Sequence, residues 1–121
     1  MNYMRKLNSR EIGAKYELLV KNYLLDKQYE IIETNFRTKN GEIDIIAKAG
    51  EYLVFAEVKY RSKNQYGTPK EAVTLQKQRR IISTAKQYLF ATQLDAFCRF
   101  DVIEVFGNEH INHIVNAFEE A

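Results

Sequence analysis

The sequence predicts an α/β domain in which a mixed central sheet is flanked by helices, in the order α-β-β-β-α-β-β. Three observations predict it. An apolar stripe at helical spacing runs through residues 9–27, an Asn-Gly pair at 40–41 separates two strand-like runs, and Thr-Pro-Lys-Glu at 68–71 begins a second helical segment. A chain of 121 residues has the usual size of one domain, so we expect residues 1–121 to form a single domain in two or three layers.

The first helix is predicted over residues 9–27. Asn8 or Ser9 can cap it, and Glu11 lies three residues after Asn8, as in a capping box. Glu17 falls at the edge of the apolar stripe, so it would point along the surface on which the helix packs. The stripe consists of Ile12, Tyr16, Leu19, Val20, Tyr23 and Leu24.

Three strands follow, at residues 29–37, 42–48 and 52–61. The first turn contains Asn40 and Gly41, which both tolerate a positive φ, and the second is Ala-Gly-Glu at 49–51. These short turns favour a meander of three antiparallel strands. Apolar residues on both faces of the second and third strands predict that both faces of the sheet are covered.

A polar loop at residues 62–67 leads to the second helix, which we expect to run from Thr68 to about Phe90. Thr68 is its predicted N-cap, Pro69 fits the first helical position, and Glu71 closes a capping box. Two further strands are predicted at residues 97–106 and 110–118.

The chain has a net charge of +2, too small to imply a nucleic-acid partner by itself. No apolar run approaches about 18 residues, so no membrane span is expected. A single cysteine, Cys98, excludes an internal disulfide and indicates a reducing compartment, so we expect a cytoplasmic protein. Cys98 itself is expected to be a small core residue.

Three charged residues occur within predicted strands, where such residues are uncommon: Asp44, Glu57 and Lys59. Glu57 and Lys59 share a face because side chains alternate along a strand, and a suitable hairpin register makes Asp44 a neighbour of Glu57. Two adjacent carboxylates are ligands that Mg²⁺ prefers, so this pattern predicts a site for Mg²⁺ or Mn²⁺. Glu17 on the first helix could approach the same metal.

A second interpretation of these charges is a cross-strand ladder of ion pairs on an exposed sheet face, with Asp44 paired to Lys59 or Lys48. The apolar neighbours argue against it, because they predict a sheet covered on both faces, where charges lie at a cleft or are costly to bury.

Positive charge is concentrated between Lys59 and Arg80, where Glu71 is the single acid. A face for a polyanion and an ordinary solvated helix face both fit this pattern. On the polyanion interpretation, the side chains that contact nucleic acid are Arg61, Lys70, Gln76, Lys77 and Arg80.

Five separated motifs resemble the YraN-like family of bacterial proteins. They are GEID at 41–44, FAEVKYR at 55–61, GTPKEAV at 67–73, KQRR at 77–80 and RFDV at 99–102. The pattern of a helix acid, a strand aspartate and Glu-x-Lys also resembles the PD-(D/E)xK superfamily of restriction endonuclease-like and Holliday junction resolvase-like proteins. This resemblance implies a restriction endonuclease-like core with the order α-β-β-β-α-β.

The same resemblance implies roles for four residues. Glu17 matches the helix acid, Asp44 and Glu57 the metal-binding acids, and Lys59 the catalytic lysine of the superfamily. Tyr16 departs from the family pattern, which has glycine before the helix glutamate.

The sequence therefore leaves three candidate functions for a protein of this fold. The first is a metal-dependent DNA endonuclease, with branched or junction DNA as a substrate class and a homodimer by analogy with resolvases. The second is a nucleic-acid-binding module without catalysis on the same fold. The third is a protein-interaction partner in a DNA-processing pathway.

Overall fold

The structure, a computed structural model, describes residues 6–61 and 73–120. Two helices and five strands follow one another in the predicted order α-β-β-β-α-β-β. Their bounds are α1 Ser9–Asp26, β1 Glu30–Thr38, β2 Gly41–Ala49, β3 Tyr52–Arg61, α2 Leu75–Thr92, β4 Phe97–Phe106 and β5 Ile111–Phe118. This order contains the α-β-β-β-α-β core that the nuclease resemblance implies.

The five strands form one mixed sheet in the order β1-β2-β3-β4-β5. The pairs β1–β2, β2–β3 and β4–β5 are antiparallel, whereas β3 and β4 are parallel. A parallel pair needs a crossover connection, and α2 lies in the connection between β3 and β4. The predicted three-stranded meander and the mixed sheet are both confirmed.

Each face of the sheet is covered by one helix, which makes three layers. Phe55 of β3 packs in a buried cluster with Ile81 and Tyr88 of α2. The preceding residue, Val54, packs in a separate buried cluster with Val20 and Leu24 of α1. Successive side chains of a strand point to opposite faces, so α1 and α2 lie on opposite sides of the sheet.

The start of α1 is as predicted and the start of α2 is not. The Glu11 amide donates to Asn8 Oδ1 at 2.9 Å, and Asn8 Nδ2 donates to Glu11 Oε1 at 2.7 Å. Helix α2 begins at Leu75, where the Lys77 amide donates to Thr74 Oγ1 at 3.2 Å. Thr74 has an extended backbone (ψ 157°), so a continuous helix from residue 68 is wrong. The predicted capping residues Thr68, Pro69 and Glu71 lie outside the described residues.

Two smaller expectations also need correction. The β1–β2 turn consists of Lys39 and Asn40, and neither has a positive φ; in this turn region Gly41 does, at 157°. Cys98 is exposed near the start of β4 and belongs to neither buried cluster, although its strand neighbour Leu53 is buried. Neither helix in residues 6–61 and 73–120 is long and apolar enough to cross a membrane.

Candidate functional site

The alternation of side chains along β2 changes phase at Asp44. Ile45 packs in the buried cluster beneath α1, but Ile43, two residues earlier, packs in the cluster beneath α2. The β1–β2 register places Asn35 opposite Asp44, and Asn35 has a left-handed backbone with φ 54°. Asn tolerates this conformation better than most residues. The regular alternation of side chains along β2 is therefore interrupted at Asp44.

Asp44 uses its side chain to contact β3. The regular β2–β3 ladder ends at the pair Ile45–Ala56, one step before Asp44 would face Glu57. Beyond this point the backbone amide of Val58 donates a hydrogen bond to Asp44 Oδ2 at 2.8 Å. This charge-assisted bond replaces a ladder bond and fixes the carboxylate beside Glu57.

Glu57 points toward α2, on the same face as Phe55. The residue is 5% exposed, and its carboxylate forms an ion pair with Lys77 Nζ from the first turn of α2. The Asp44 and Glu57 carboxyl groups are also within hydrogen-bonding reach of each other. Asp44 and Glu57 are thus neighbours, as predicted. Lys77 lies beside them, which the sequence did not predict.

This carboxyl pair binds protons more tightly than isolated acids do. Burial, together with the charge of the neighbouring Asp44, raises the pKa of Glu57 to about 7, although Lys77 acts in the opposite direction. Burial likewise raises the pKa of Asp44, against the lowering effect of the Val58 hydrogen bond. Placing two negative charges side by side in this desolvated position is energetically unfavourable. Near neutral pH the pair is therefore stabilised by a shared proton or by a bound cation.

Replacing Lys77 with methionine is expected to raise the pKa of Glu57 above its value of about 7. Lys77 is the cation that opposes burial there, and an adjacent opposite charge typically lowers a carboxyl pKa by about 1 pH unit or more. Carbon-13 NMR titration of the carboxyl groups in metal-free buffer measures this change. Lys86→Met is the matched control, because Lys86 lies on α2 but pairs with Glu120. An unchanged or lowered Glu57 pKa would contradict the assigned ion pair.

Glu17 and Asp44 line the same small cavity, of about 140 Å³, between α1 and the sheet. Asn35 and Tyr60 also line it. Burial raises the pKa of the Tyr60 hydroxyl, and the charges of Asp44 and Glu17 add to this effect. Glu17 Oε1 pairs with Lys21 Nζ at 3.2 Å, one helical turn away. Glu17 therefore faces Asp44 across the cavity while remaining partly exposed.

Tyr16 packs its ring against Tyr60, with 5.2 Å between ring centroids. The Tyr60 hydroxyl donates to the Gly13 carbonyl oxygen at 3.5 Å, which adds a second, weak link between β3 and α1. Tyr16 thus packs on Tyr60, which in turn lines the cavity that contains Glu17.

Lys59 is exposed and shares the strand face of Glu57. Among the described residues it forms no ion pair, in contrast to Lys77. The same described part of the chain contains no group of three or more His, Cys, Asp or Glu side chains arranged to hold one metal ion. What the structure brings together is the pair Asp44 and Glu57, with Lys77 on one side and the Glu17 cavity on the other.

The five residues predicted to contact nucleic acid have different surroundings. Arg61 Nε pairs with Glu104 Oε2 at 2.8 Å, and the Arg61 side chain is 13% exposed. Lys70 lies outside the described residues. Lys77 is engaged by Glu57, whereas Gln76 and Arg80 are exposed on α2 and line an open groove. Among the described members of this set, Gln76 and Arg80 are therefore the two whose side chains are exposed and form no ion pair.

A second polar cluster, which we call the Asp101 cluster, is buried between α1 and the sheet. Asp101 is 0% exposed, and its two carboxylate oxygens accept from Arg99 Nε and Nη2, each at 2.9 Å. The backbone amide of Asn116 donates to Asp101 Oδ1 at 3.0 Å, and His113 Nε2 lies 2.7 Å from Oδ2. His113 Nδ1 lies 3.1 Å from the hydroxyl of Tyr23 on α1.

Sequence reasoning missed the Asp101 cluster, although RFDV at 99–102 carried a signal. Arg99 and Asp101 are two apart on one strand, so they share a face, and their charges fall within an otherwise apolar run. The contribution of His113 could not be found this way, because it depends on the β4–β5 register, which pairs His113 with Ile103.

Comparison with known proteins identifies the family of this chain. The model of the uncharacterised protein family UPF0102 matches residues 16–105, which span the helix acid, the carboxyl pair and α2. The chain belongs to this family. The UPF0102 family is the YraN-like family, so the resemblance drawn from the five motifs is confirmed.

Individual UPF0102 relatives align along almost the full chain. The UPF0102 protein of Lachnoclostridium phytofermentans is 47% identical over 115 residues, covering 93% of this chain and 97% of its own. The UPF0102 protein of Geobacter metallireducens is 47% identical over 119 residues, covering 95% of this chain and 98% of its own. That of Clostridioides difficile is 46% identical, covering 93% of this chain and 100% of its own.

Proposed function

We propose that this UPF0102 protein is a metal-dependent endonuclease that cuts the phosphodiester backbone of DNA. The observation that carries the proposal is the pair formed by half-buried Asp44 and buried Glu57, two neighbouring carboxyl groups whose pKa values are both raised. Strongly perturbed carboxyl groups beside a cavity are typical of functional sites. If these two carboxyl groups served stability alone, apolar residues in their place would stabilise the protein more.

Asp44 and Glu57 would hold the ion, because carboxylate oxygens are the ligands that Mg²⁺ and Mn²⁺ prefer and Mg²⁺ commonly uses only one or two protein carboxylates. Glu17 would contribute from the adjoining cavity, directly or through water. When bound, the ion would polarise a phosphoryl oxygen and lower the pKa of a water molecule.

The cationic side chains of the site have separate tasks in this proposal. Lys77 favours the ionised form of Glu57 and so keeps it competent as a ligand. Lys59, exposed and without an ion-pair partner among the described residues, donates hydrogen bonds to the substrate phosphate and stabilises its developing charge. Gln76 and Arg80 contact neighbouring phosphates without reading the base sequence.

Branched or junction DNA is the substrate class that the resolvase resemblance favours. Each chain has one Asp44–Glu57 pair, and cutting two strands of a junction takes two such pairs, so the proposal includes a homodimer on that substrate.

Cleavage of branched and linear DNA with Mg²⁺ or Mn²⁺ tests the proposal. Asp44→Asn and Glu57→Ala are expected to lower the cleavage rate by at least about 100-fold, because metal-ion stabilisation of the transition state is worth several kcal/mol. Glu51→Gln is the matched control, since Glu51 is an exposed acid at the other end of the β2–β3 hairpin. The proposal fails if the wild type cuts none of these DNAs, or if Asp44→Asn cuts as well as the wild type.

One observation favours a second function, DNA binding without cleavage. Lys77 already pairs with Glu57, and the described residues contain no group of three or more His, Cys, Asp or Glu placed to hold one metal ion. On this alternative, DNA binds in EDTA with an affinity that Asp44→Asn leaves unchanged, and neither metal produces cleavage.

A further inference from the structure

A groove of about 430 Å³ lies between the β1–β2 turn and helix α2. We call it the turn–helix groove. Its lining residues are Lys39, Asn40, Gln76, Arg79, Arg80 and Ser83. Three of the six are cations and none is an acid. Gln76 and Arg80 are already predicted to contact nucleic acid, whereas Lys39, Asn40, Arg79 and Ser83 have no role in the proposed function.

The two walls of the groove are held together by direct contacts. Asn40 Nδ2 in the turn donates to Ser83 Oγ on α2 at 2.8 Å. A Cβ at Gly41 would lie 3.2 Å from Thr84 Oγ1 and 3.4 Å from Arg80 Cβ, closer than side chains usually pack. Glycine at this position therefore lets the turn approach α2, which gives the groove a defined width.

The α2 wall is one helical face, distinct from the face that packs on the sheet. Gln76, Arg79, Arg80 and Ser83 recur at three- and four-residue spacing and therefore lie on one side of the helix. Lys77, one position after Gln76, points instead to Glu57. The first turn of α2 thus contributes to both the carboxyl pair and the groove.

The cations of the groove are available to a ligand. Lys39, Arg79 and Arg80 are exposed and form no ion pair within the described residues. Neighbouring cations are engaged: Arg37 pairs with Glu42 at 3.4 Å, and Lys77 pairs with Glu57. Guanidinium groups bind phosphate oxygens in pairs, and the Asn40 and Gln76 amides add neutral donors.

We propose that the turn–helix groove binds backbone phosphates of the DNA strand that reaches the carboxyl pair. That the bound DNA strand continues to the carboxyl pair depends on the proposed endonuclease function. That the groove binds phosphates depends only on the residues of the groove. Asn40 precedes Asp44 by four residues along β2, about 13 Å at strand spacing. About four base pairs of a duplex span this distance along the helix axis, so one bound DNA is long enough to contact both the groove and the carboxyl pair.

Binding of a fluorescein-labelled 20-base-pair duplex in EDTA, at several salt concentrations, tests this site without any cleavage. The triple variant Lys39→Gln/Arg79→Gln/Arg80→Gln is compared with the charge-matched control Lys27→Gln/Lys48→Gln/Lys86→Gln, whose sites are exposed elsewhere. The groove variant is expected to bind at least 10-fold more weakly near 50 mM salt. Its log–log salt slope should be less negative by about 2 to 3, at about 0.9 per lost phosphate contact.

Equal losses in the groove variant and the control would overturn the proposal, because net charge alone would then explain binding. A wild type that does not bind the duplex at low salt would also overturn it. The proposed endonuclease activity is judged separately. If the groove variant binds weakly as expected but the wild type never cuts DNA, the phosphate site stands and the endonuclease fails.

Discussion

Glu57→Gln is expected to stabilise the metal-free protein at pH 8 by up to about 3 kcal/mol. Burial raises the pKa of Glu57 from 4.5 to about 7, and each pH unit of difference corresponds to about 1.4 kcal/mol. At pH 8 the folded wild type must ionise an acid that the folded environment disfavours. Glutamine has the shape of the protonated acid and removes that cost. Urea unfolding of the two proteins in EDTA measures the difference.

The gain should disappear in acid. An acid with a raised folded-state pKa binds protons preferentially in the folded state. Its contribution to stability is therefore complete below pH 4.5 and is lost as the pH rises through about 7. Wild type and Glu57→Gln should have nearly equal stability at pH 4.5 and diverge with increasing pH. Glu51→Gln, at an exposed position, should show no such divergence.

Mn²⁺ should reverse the order of stability at pH 8. A cation that binds the folded carboxyl pair stabilises the wild type by an amount that grows with the logarithm of the ion concentration above its Kd, whereas glutamine removes one ligand. We expect the melting temperature of the wild type to rise with Mn²⁺ at pH 8, to rise less at pH 5.5, and to stay constant in Glu57→Gln. A Glu57→Gln variant that is less stable than the wild type at pH 8 in EDTA would contradict the assigned pKa.

The strands and the Asp44–Glu57 contact could be predicted because they depend on short-range information. A continuous apolar run after the turn indicated the position of β3, and a short turn at Gly50 allowed few registers for the β2–β3 hairpin. The register observed, with Ile45 opposite Ala56, is the one that directs Asp44 toward Glu57.

The ion pair of Lys77 with Glu57 could not be predicted, because it depends on where α2 lies against the sheet. Sequence patterning placed Lys77 on a basic helix face. The helix starts at Leu75, six residues later than Thr68-based capping suggested, and this start brings Lys77 into its first turn beside Glu57. The local signal at Thr68 gave no information about the extended backbone at Thr74.

The hairpin predicted from Asn40 and Gly41 is present, but for a different physical reason. Asn-Gly predicted a hairpin through positive φ values at both turn residues, and the hairpin is present. Asn40 has no positive φ, and its side chain instead bonds to Ser83. Gly41 is required by its close approach to α2. A sequence pattern can thus identify the turn without identifying the tertiary contacts that use its residues.

Asp101→Ala is expected to destabilise the protein by about 3 to 5 kcal/mol at pH 7, the usual cost of leaving a buried partner charge uncompensated. Asp101 is fully buried, and its removal would leave Arg99, whose side chain is 14% exposed, without its carboxylate. Chemical denaturation measures the loss. Asp95→Ala, at an exposed acid just before β4, should change stability by less than about 0.5 kcal/mol.

The pH dependence of this loss separates charge from packing. Burial alone would raise the pKa of Asp101, but hydrogen bonds from His113 and Arg99 outweigh it and hold the pKa below 3.8. A depressed folded-state pKa contributes stability above pH 3.8, and this contribution is lost as the pH falls through the folded value. The deficit of Asp101→Ala should therefore persist down to about pH 4 and shrink in stronger acid. A deficit that is constant to pH 2 would indicate lost packing instead.

The Asp101 cluster is also linked to α1, the helix that carries Glu17. Tyr23 belongs to α1, as Glu17 does, and its hydroxyl contacts His113 of β5, which in turn contacts Asp101 of β4. Tyr23→Phe removes one hydrogen bond and should cost about 1 kcal/mol, much less than Asp101→Ala. If α1 is held by this cluster, Tyr23→Phe should also change the Tyr60 environment, which is measurable from tyrosine NMR shifts. An unchanged Tyr60 signal would show that apolar packing of Val20 and Leu24 alone positions the helix.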